Sequence, residues 1–437
     1  MMTRAIHSMP MIALLLMASA VPAAAQDSAG TSTGTSTGTA ASANTAQPGD
    51  IVVTGRSLAD TAADLAACIA RGCPPDQDVR ATLAHAENQF VSGDYRDARG
   101  TMLASLRRNR NAGGQFPVEV SDLQRANARV AAHLGERNAY QLATLDSRDT
   151  LRAALTENDP RVMIANIEVA DSRARLGYPD EARGSYARIA EQAEAAGQPR
   201  VAAFAKIRLA AANLPSNPSM RQPRRVEQSI SSLTQIAGNG PSVGQDMALM
   251  AEVMLARYER ENGNMARTEA LVRRFQSGEG SARPLLLSSD PIRLHDAELT
   301  QERGSSGNVL QRMQTVNVNR RYVDIGYWIN SDGRVSDYEI LRHSGGTEWA
   351  EAVERSVKSR IYAPLQSVDG QRSQGFYIVE RYSLTADIND SNCTGSHVRC
   401  RSPQLRVERM DLTPEDLSDQ PDRPVPVAGA TATPATN

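Results

Sequence analysis

The chain has 437 residues, 41% hydrophobic and only 4% aromatic, with 48 basic residues against 50 acidic ones and a formal net charge of -2. That length is enough for about two or three domains, and the composition excludes a collagen, a disordered tail protein and a polytopic membrane protein. Only Lys206 and Lys358 are lysines. Because the acids match the arginines, this skew reads as base composition, not as a surface for nucleic acid.

Residues 1–25 read as a cleavable signal peptide. Arg4 precedes the apolar run Met9–Val21, and Ala23-Ala24-Ala25 supplies the small residues before a cleavage site. That run of 13 residues is short for a bilayer-spanning helix, which needs ~20. A retained anchor is the alternative reading. Cleavage implies a periplasmic protein without an integral membrane segment in the mature chain. Residues 26–57 form a tether: Ser, Thr, Gly, Ala and Gln dominate, with no apolar periodicity until the β-branched run Asp50-Ile51-Val52-Val53-Thr54.

Cys68 and Cys73 lie five apart, and Cys393 and Cys400 seven apart. In an exported chain two local pairs predict two disulfides. A zinc site from all four, or from three with His397, is the alternative, but these spacings lie at and beyond the usual limit for zinc ligands. No metal and no cofactor are expected.

From 58 to 278 the chain becomes rich in Ala, Leu, Arg and Glu, with apolar residues three and four apart. Leu83 and Phe90, then Ala98, Met102 and Leu106, fit helices and not strands. Gly93-Asp94-Tyr95, Gly135-Glu136-Arg137, Gly177-Tyr178-Pro179 and Gly263-Asn264-Met265 recur with glycines 42, 42 and 86 apart. The spacing predicts one weak copy near Met220. A glycine in the left-handed region would end one helix, and a small alanine would let the next pack close. The run Leu176-Gly177-Tyr178-Pro179-Asp180-Glu181-Ala182 resembles tetratricopeptide repeats, although the period exceeds the ~34 residues usual there. An α-solenoid implies protein binding or a structural spacer. Tyr95, Tyr140, Tyr186 and Tyr258 are expected in seams between helices, with a peptide groove as the alternative. His85 and His133 are expected to be packed or solvated.

Residues 279–310 read as a linker and 311–388 as a small ββαβ domain, so that the whole is α+β and multidomain. Arg321 to Asn330 alternates as a strand, Asp332-Gly333 makes a hairpin turn, and Val335 to Leu341 returns. Thr347 is expected to cap a helix carrying Trp349, Ala352, Val353 and Val357, and Phe376 to Leu384 forms the third strand. Residues 389–437 are expected to be a disulfide-bearing loop and a disordered tail. The words Val323-Asp324-Ile325-Gly326-Tyr327-Trp328-Ile329, Asp332-Gly333-Arg334-Val335, Ser344-Gly345-Gly346, Ile361-Tyr362-Ala363-Pro364 and Asp369-Gly370 resemble, in this order, the C-terminal domain of TonB-family proteins. Asp50-Ile51-Val52-Val53-Thr54 resembles the TonB box of outer-membrane receptors.

That resemblance implies a non-enzymatic module whose last strand accepts an extended segment by strand addition, through Phe376, Ile378, Glu380, Tyr382 and Leu384. The implied partners are a TonB-dependent receptor or a TonB-system component. Cover of that edge by the tail at 386–410 is the alternative. The departures are a cleavable signal and a helical array in place of a kept anchor and a proline-rich spacer, which favour an adaptor over direct energy transduction. An envelope-assembly scaffold and an unrecognised periplasmic enzyme are the other readings. Against the enzyme, the chain has no phosphate-binding glycine loop and no HExxH, and its GxSxG words at 30–38 fall in the tether, without the strand and helix a nucleophile elbow requires. Adjacent His343 and Ser344 sit at a strand end, so no catalytic residue is assigned.

Overall fold

The computed structural model describes residues 56–215, 218–276, 284–294, 321–364, 375–389 and 400–413. The leader, the tether and the TonB-box-like segment at Asp50, Ile51, Val52, Val53 and Thr54 lie outside the described residues.

A helical array comes first: α1 (Leu58–Arg71), α2 (Pro75–Val91), α3 (Tyr95–Arg108), α4 (Pro117–His133), α5 (Arg137–Ala154), α6 (Pro160–Arg175), α7 (Pro179–Ala195), α8 (Pro199–Asn213), α9 (Pro223–Gly238), the short α10 (Gly240–Val243), α11 (Gln245–Glu261) and α12 (Ala266–Gln276). Starts are set by chemistry that suits a first turn. Proline, which has no N–H to lose, opens α2, α4, α6, α7, α8 and α9. Ser57 and Asp159 cap α1 and α6 through their side chains. Stops at the repeat turns are set by glycine. Gly93, Gly135, Gly177 and Gly263 have φ of 87°, 77°, 97° and 84°, and the next amide folds back onto the helix, as in Glu136 N–H to Ala131 O at 2.9 Å and Tyr178 N–H to Arg173 O at 2.9 Å. Between α8 and α9 a 3-10 turn (Pro218–Met220) replaces the glycine turn. Alanine and Tyr186, Ile189 and Ile207 fill the seams of α6 to α8. Tyr95, Tyr140 and Tyr186 are each buried, in the clusters of α2–α4, α4–α5 and α6–α8 respectively, while Tyr258 stays partly exposed beneath Arg221.

The second region is a four-stranded antiparallel sheet in the order β3-β2-β5-β6, from β2 (Tyr322–Ile329), β3 (Val335–Ser344), β5 (Phe376–Asn389) and β6 (Cys400–Asp411). Helix α13 (Ala350–Lys358) covers one face: Val323, Ile325, Tyr327 and Ile329 pack on Trp349, Val353 and Val357. The hairpin turn carries Gly333 at φ 81°. The backbone before α13, and not the Thr347 hydroxyl, closes its start, with Ala350 N–H on Thr347 O at 2.8 Å.

Two boundaries differ from the sequence expectation. The linker at 279–310 contains β1 (Leu286–Ser288), which pairs with β4 (Ile361–Tyr362). Leu287 is buried, and Arg257 of α11 donates to the carbonyl oxygens of Leu286 and Leu287 at 3.0 and 3.3 Å. An apolar Leu285-Leu286-Leu287 triplet finds cover against α11, so this part of the chain packs. The tail expected from 389 on contains β6, so the unit is ββαβ with a further strand. Leu405 and Val407 of β6 alternate onto the α13 face.

Candidate protein-interaction surfaces

The strand expected to accept a guest lies inside the sheet. Tyr382 pairs with Val323 of β2 on one side and Arg409 of β6 on the other; Glu380 likewise pairs with Ile325 and Asp411. Leu384 pairs with Val407, and Phe376 and Ile378 pair with Ile329 and Tyr327 of β2 ahead of the β6 ladder. The chain's own β6 therefore corrects the reading of 376–384 as an acceptor edge: from Glu380 on, the groups a guest would use are already bonded. All five side chains are buried. Glu380 sits in a polar knot of the core, where Arg360 donates to it at 2.8 Å and Arg409 at 3.2 Å. Arg360 also donates to the hydroxyls of Tyr327, Tyr362 and Tyr382. Two guanidinium partners make a carboxylate tolerable at that depth, and burial raises the Tyr327 and Tyr382 hydroxyl pKa values.

The remaining ladder edge on that side of β2 is β3, which pairs only with β2 among the described residues. Two register shifts interrupt it, one with Asp337 at φ 51°, and its one large exposed apolar side chain is Ile340. Bulges of this kind blunt an edge.

The other face of the sheet docks onto the row of repeat turns. At the first turn, a Cβ on Gly93 would lie 3.0 Å from the Tyr322 ring. Arg381 donates to Phe90 O at 3.3 Å, and the hydroxyls of Tyr95 and Ser383 are 3.3 Å apart. At the second turn, Ile388 N–H bonds Gly135 O at 2.8 Å, the Thr385 hydroxyl bonds His133 O at 2.8 Å and Arg406 donates to Ala132 O at 2.9 Å. A Cβ on Gly135 would collide with the Ala386 carbonyl. These acceptors include helix-terminal carbonyls that have no partner within their own helix. Arg137–Asp387 and Arg175–Glu408 ion pairs flank them.

Behind the joint, fully buried Arg381 holds Asp324 through two bonds of 2.6 and 2.9 Å and stacks 3.9 Å from the Tyr322 ring centroid; Arg342 adds a third bond to Asp324 at 2.7 Å. His133 packs with the rings of Phe90 and Tyr95, centroids 5.0 and 4.3 Å away, and burial drops its pKa to about 4.

A second surface runs across α4, α6 and α8. Arg125 donates to Asp122 at 2.8 Å and across to Glu168 at 3.0 Å. Arg208 and Tyr186 both donate to Asp171, at 2.9 and 2.5 Å. Arg129 is exposed beside Asp122 and Glu168. Burial raises the pKa of both these carboxyls. Side chains of Arg125, Glu168, Asp171 and Arg208 remain 15–24% exposed, so this ladder is within reach of a ligand.

Cys68 and Cys73 lie side by side at the end of α1, Cα atoms 5.2 Å apart, beside Gly72 in the left-handed region. Cys393, and with it the second pair, lies outside the described residues. Among the described residues no cluster of His, Cys, Asp or Glu could hold a metal ion, and no helix is long and apolar enough to cross a membrane. β6 corresponds to the alternative in which the tail at 386–410 covers the edge, although sequence reasoning assigned no strand there; it missed the interface residues Arg381, Thr385, Arg406 and Glu408. The alternation of Leu405 and Val407 was the available signal for β6; nothing local marks a residue that meets a helix turn some 250 positions away.

No family model matches the chain. No curated protein matches it either. Among solved structures the chain is similar to BtubC (BKLC) from P. vanneervenii, with 15% identity over 51% of this chain and 89% of that one and a TM-score of 0.40. It is also similar to a Podosopora anserina putative kinesin light chain with nearly identical TPR-like repeats, at 14% identity, 47% and 99% coverage and a TM-score of 0.36. A Rap protein complexed with competence and sporulation factor aligns at 12% identity over 47% of this chain and 54% of that one, with a TM-score of 0.36. The described residues form a helical repeat region followed by a small antiparallel sheet region.

Proposed function

We propose that this protein is a non-enzymatic adaptor of the periplasm, in which the helical array binds a protein partner and the sheet region braces the array. The observation that carries this reading is the docking of the sheet on the first two repeat turns. It spends one sheet face and the β5 edge on contacts inside the chain, and leaves the polar ladder of α4, α6 and α8 accessible. A partner matched to that ladder has alternating charge, because each arginine there faces a carboxylate. Chemical crosslinking of the full chain in envelope fractions tests it. Recovery of a defined partner that is lost on Arg129→Glu agrees; a partner equally well retained by Arg129→Glu removes the ladder as its site.

A second reading keeps strand addition and the link to TonB-dependent transport, and moves the acceptor to β3, whose outer edge has no ladder partner among the described residues. A labelled peptide of residues 48–58 titrated against the full chain separates the two. Shifts of Val335–Ser344 amides support addition at β3, and their absence at millimolar peptide removes it.

A further inference from the structure

The two turns held by β5 and β6 are the first of a row, and the next turn has the same build with no described strand upon it. We propose that the α6–α7 turn, Gly177-Tyr178-Pro179, is a docking site for an extended strand of a partner protein, held as the chain holds its own Ala386–Ile388 at the α4–α5 turn. The proposal rests on the interaction-scaffold reading above and names a second contact for the partner.

The turns match in detail. Gly135 and Gly177 share positive φ, and both close with the same pair of backbone bonds: Gly135 N–H to Ala132 O and Glu136 N–H to Ala131 O, then Gly177 N–H to Ala174 O and Tyr178 N–H to Arg173 O. Their surroundings differ. The missing Cβ of Gly135 points into the Ala386 carbonyl, whereas among the described residues nothing lies within 4 Å of that position at Gly177. Gly135 O accepts from Arg137 N–H at 3.1 Å and from Ile388 N–H at 2.8 Å. The residue equivalent to Arg137 is Pro179, which has no N–H to give. Among the described residues the Gly177 carbonyl has no donor. Arg137 bonds Leu176 O, so the turn is fixed in place before any guest arrives. Tyr178 is 55% exposed, one of the few large apolar side chains left in the open.

The occupied turn shows what the guest must offer. A main-chain carbonyl has to lie over Gly177, as that of Ala386 lies over Gly135. A main-chain N–H two residues later has to reach Gly177 O, as Ile388 does. An aliphatic or cationic side chain then covers the Tyr178 ring. The open turn continues the established interface by one repeat, with Glu408 of β6 already paired to Arg175 at its edge.

A synthetic peptide with the sequence Ser383–Asn389 is the probe, titrated into the full chain labelled with 15N at glycine and tyrosine. The expected result is saturable movement of the Gly177 and Tyr178 signals at or below about 1 mM peptide, with about tenfold weaker binding by Tyr178→Ala and by peptide N-methylated at the residue matching Ile388. Movement confined to Gly93 and Gly135 means that the peptide displaces β5 instead, and overturns the site. No movement at about 1 mM overturns it too. Binding that emerges only after residues 390–399 are replaced by a short Gly-Ser turn makes the chain itself the occupant and overturns a partner in trans. Loss of this site leaves the adaptor reading intact if a partner captured by the full chain is still retained by Tyr178→Ala.

Discussion

The helical array and the sheet region solve the same burial problem with different materials. The array uses neighbours in sequence: α2 with α3, α4 with α5, α6 with α7, joined by glycine turns and filled with alanine. Many of its ion pairs, such as Arg125–Glu168, are partly exposed, although Asp78 of α2 is buried against Arg108 of α3. The sheet region joins two pairs of consecutive strands through the long-range β2–β5 ladder and puts charge in its interior, with Asp324–Arg381 and Glu380–Arg360 almost fully buried. The array can form repeat by repeat. The sheet needs both its faces covered, one by α13 and the other by the turns of the array. Positional accuracy therefore matters more in the sheet than in the array.

The largest effect that would sharpen this contrast is expected at Asp324. Asp324→Asn leaves Arg381 buried without a carboxylate and should cost about 3–5 kcal/mol in denaturant unfolding. Arg125→Ala in the array should cost at most about 1 kcal/mol, because its pairs are partly solvated. Equal costs would erase the distinction.

A second test uses acid. His133 is neutral in the fold, with its pKa at about 4 against an ordinary 6.5, so the unfolded chain binds more protons between these values. Its contribution is complete above pH 6.5 and falls as pH drops toward 4, by about 3 kcal/mol at the lower end. Arg175, Arg381 and Arg406 face it and oppose protonation, while Glu408 favours it. His133→Gln should flatten this slope; a slope unchanged in the variant would place the acid sensitivity elsewhere.

A smaller effect compares two glycines. Gly135→Ala and Gly177→Ala both strain a left-handed position, by about 1–2 kcal/mol. Only Gly135→Ala also drives a methyl into Ala386, so it should be the more damaging by about 1–3 kcal/mol. Equal thermal shifts would mean that the sheet is not seated on that turn.

Most of the array was legible because its signals are local. Gly93, Gly135 and Gly177 at constant spacing and apolar residues three and four apart all act within one or two turns. In the sheet region, Asp332-Gly333 and the alternation of β2 were legible for the same reason. The β2 pattern also carried a clue in Tyr322 on its second face, whose ring meets Gly93 of the array. What remained hidden was long-range. Whether β5 is an edge depends on Arg409 and Val407 returning beside Tyr382 and Leu384, and no residue of β5 encodes that. Glu380 reads as a solvent-facing residue until Arg360 and Arg409 are placed around it. The short β1 passed as linker because a three-residue strand has too little periodicity to register.

The central claim is that the sheet is seated on the repeat turns. Hydrogen exchange at the Ile388 amide tests it most directly, because that N–H bonds Gly135 O in the array. The account predicts protection at Ile388 close to that of Tyr382 in the middle of β5. Free exchange at Ile388 beside a protected Tyr382 would contradict it, since the sheet would then be intact and the joint absent.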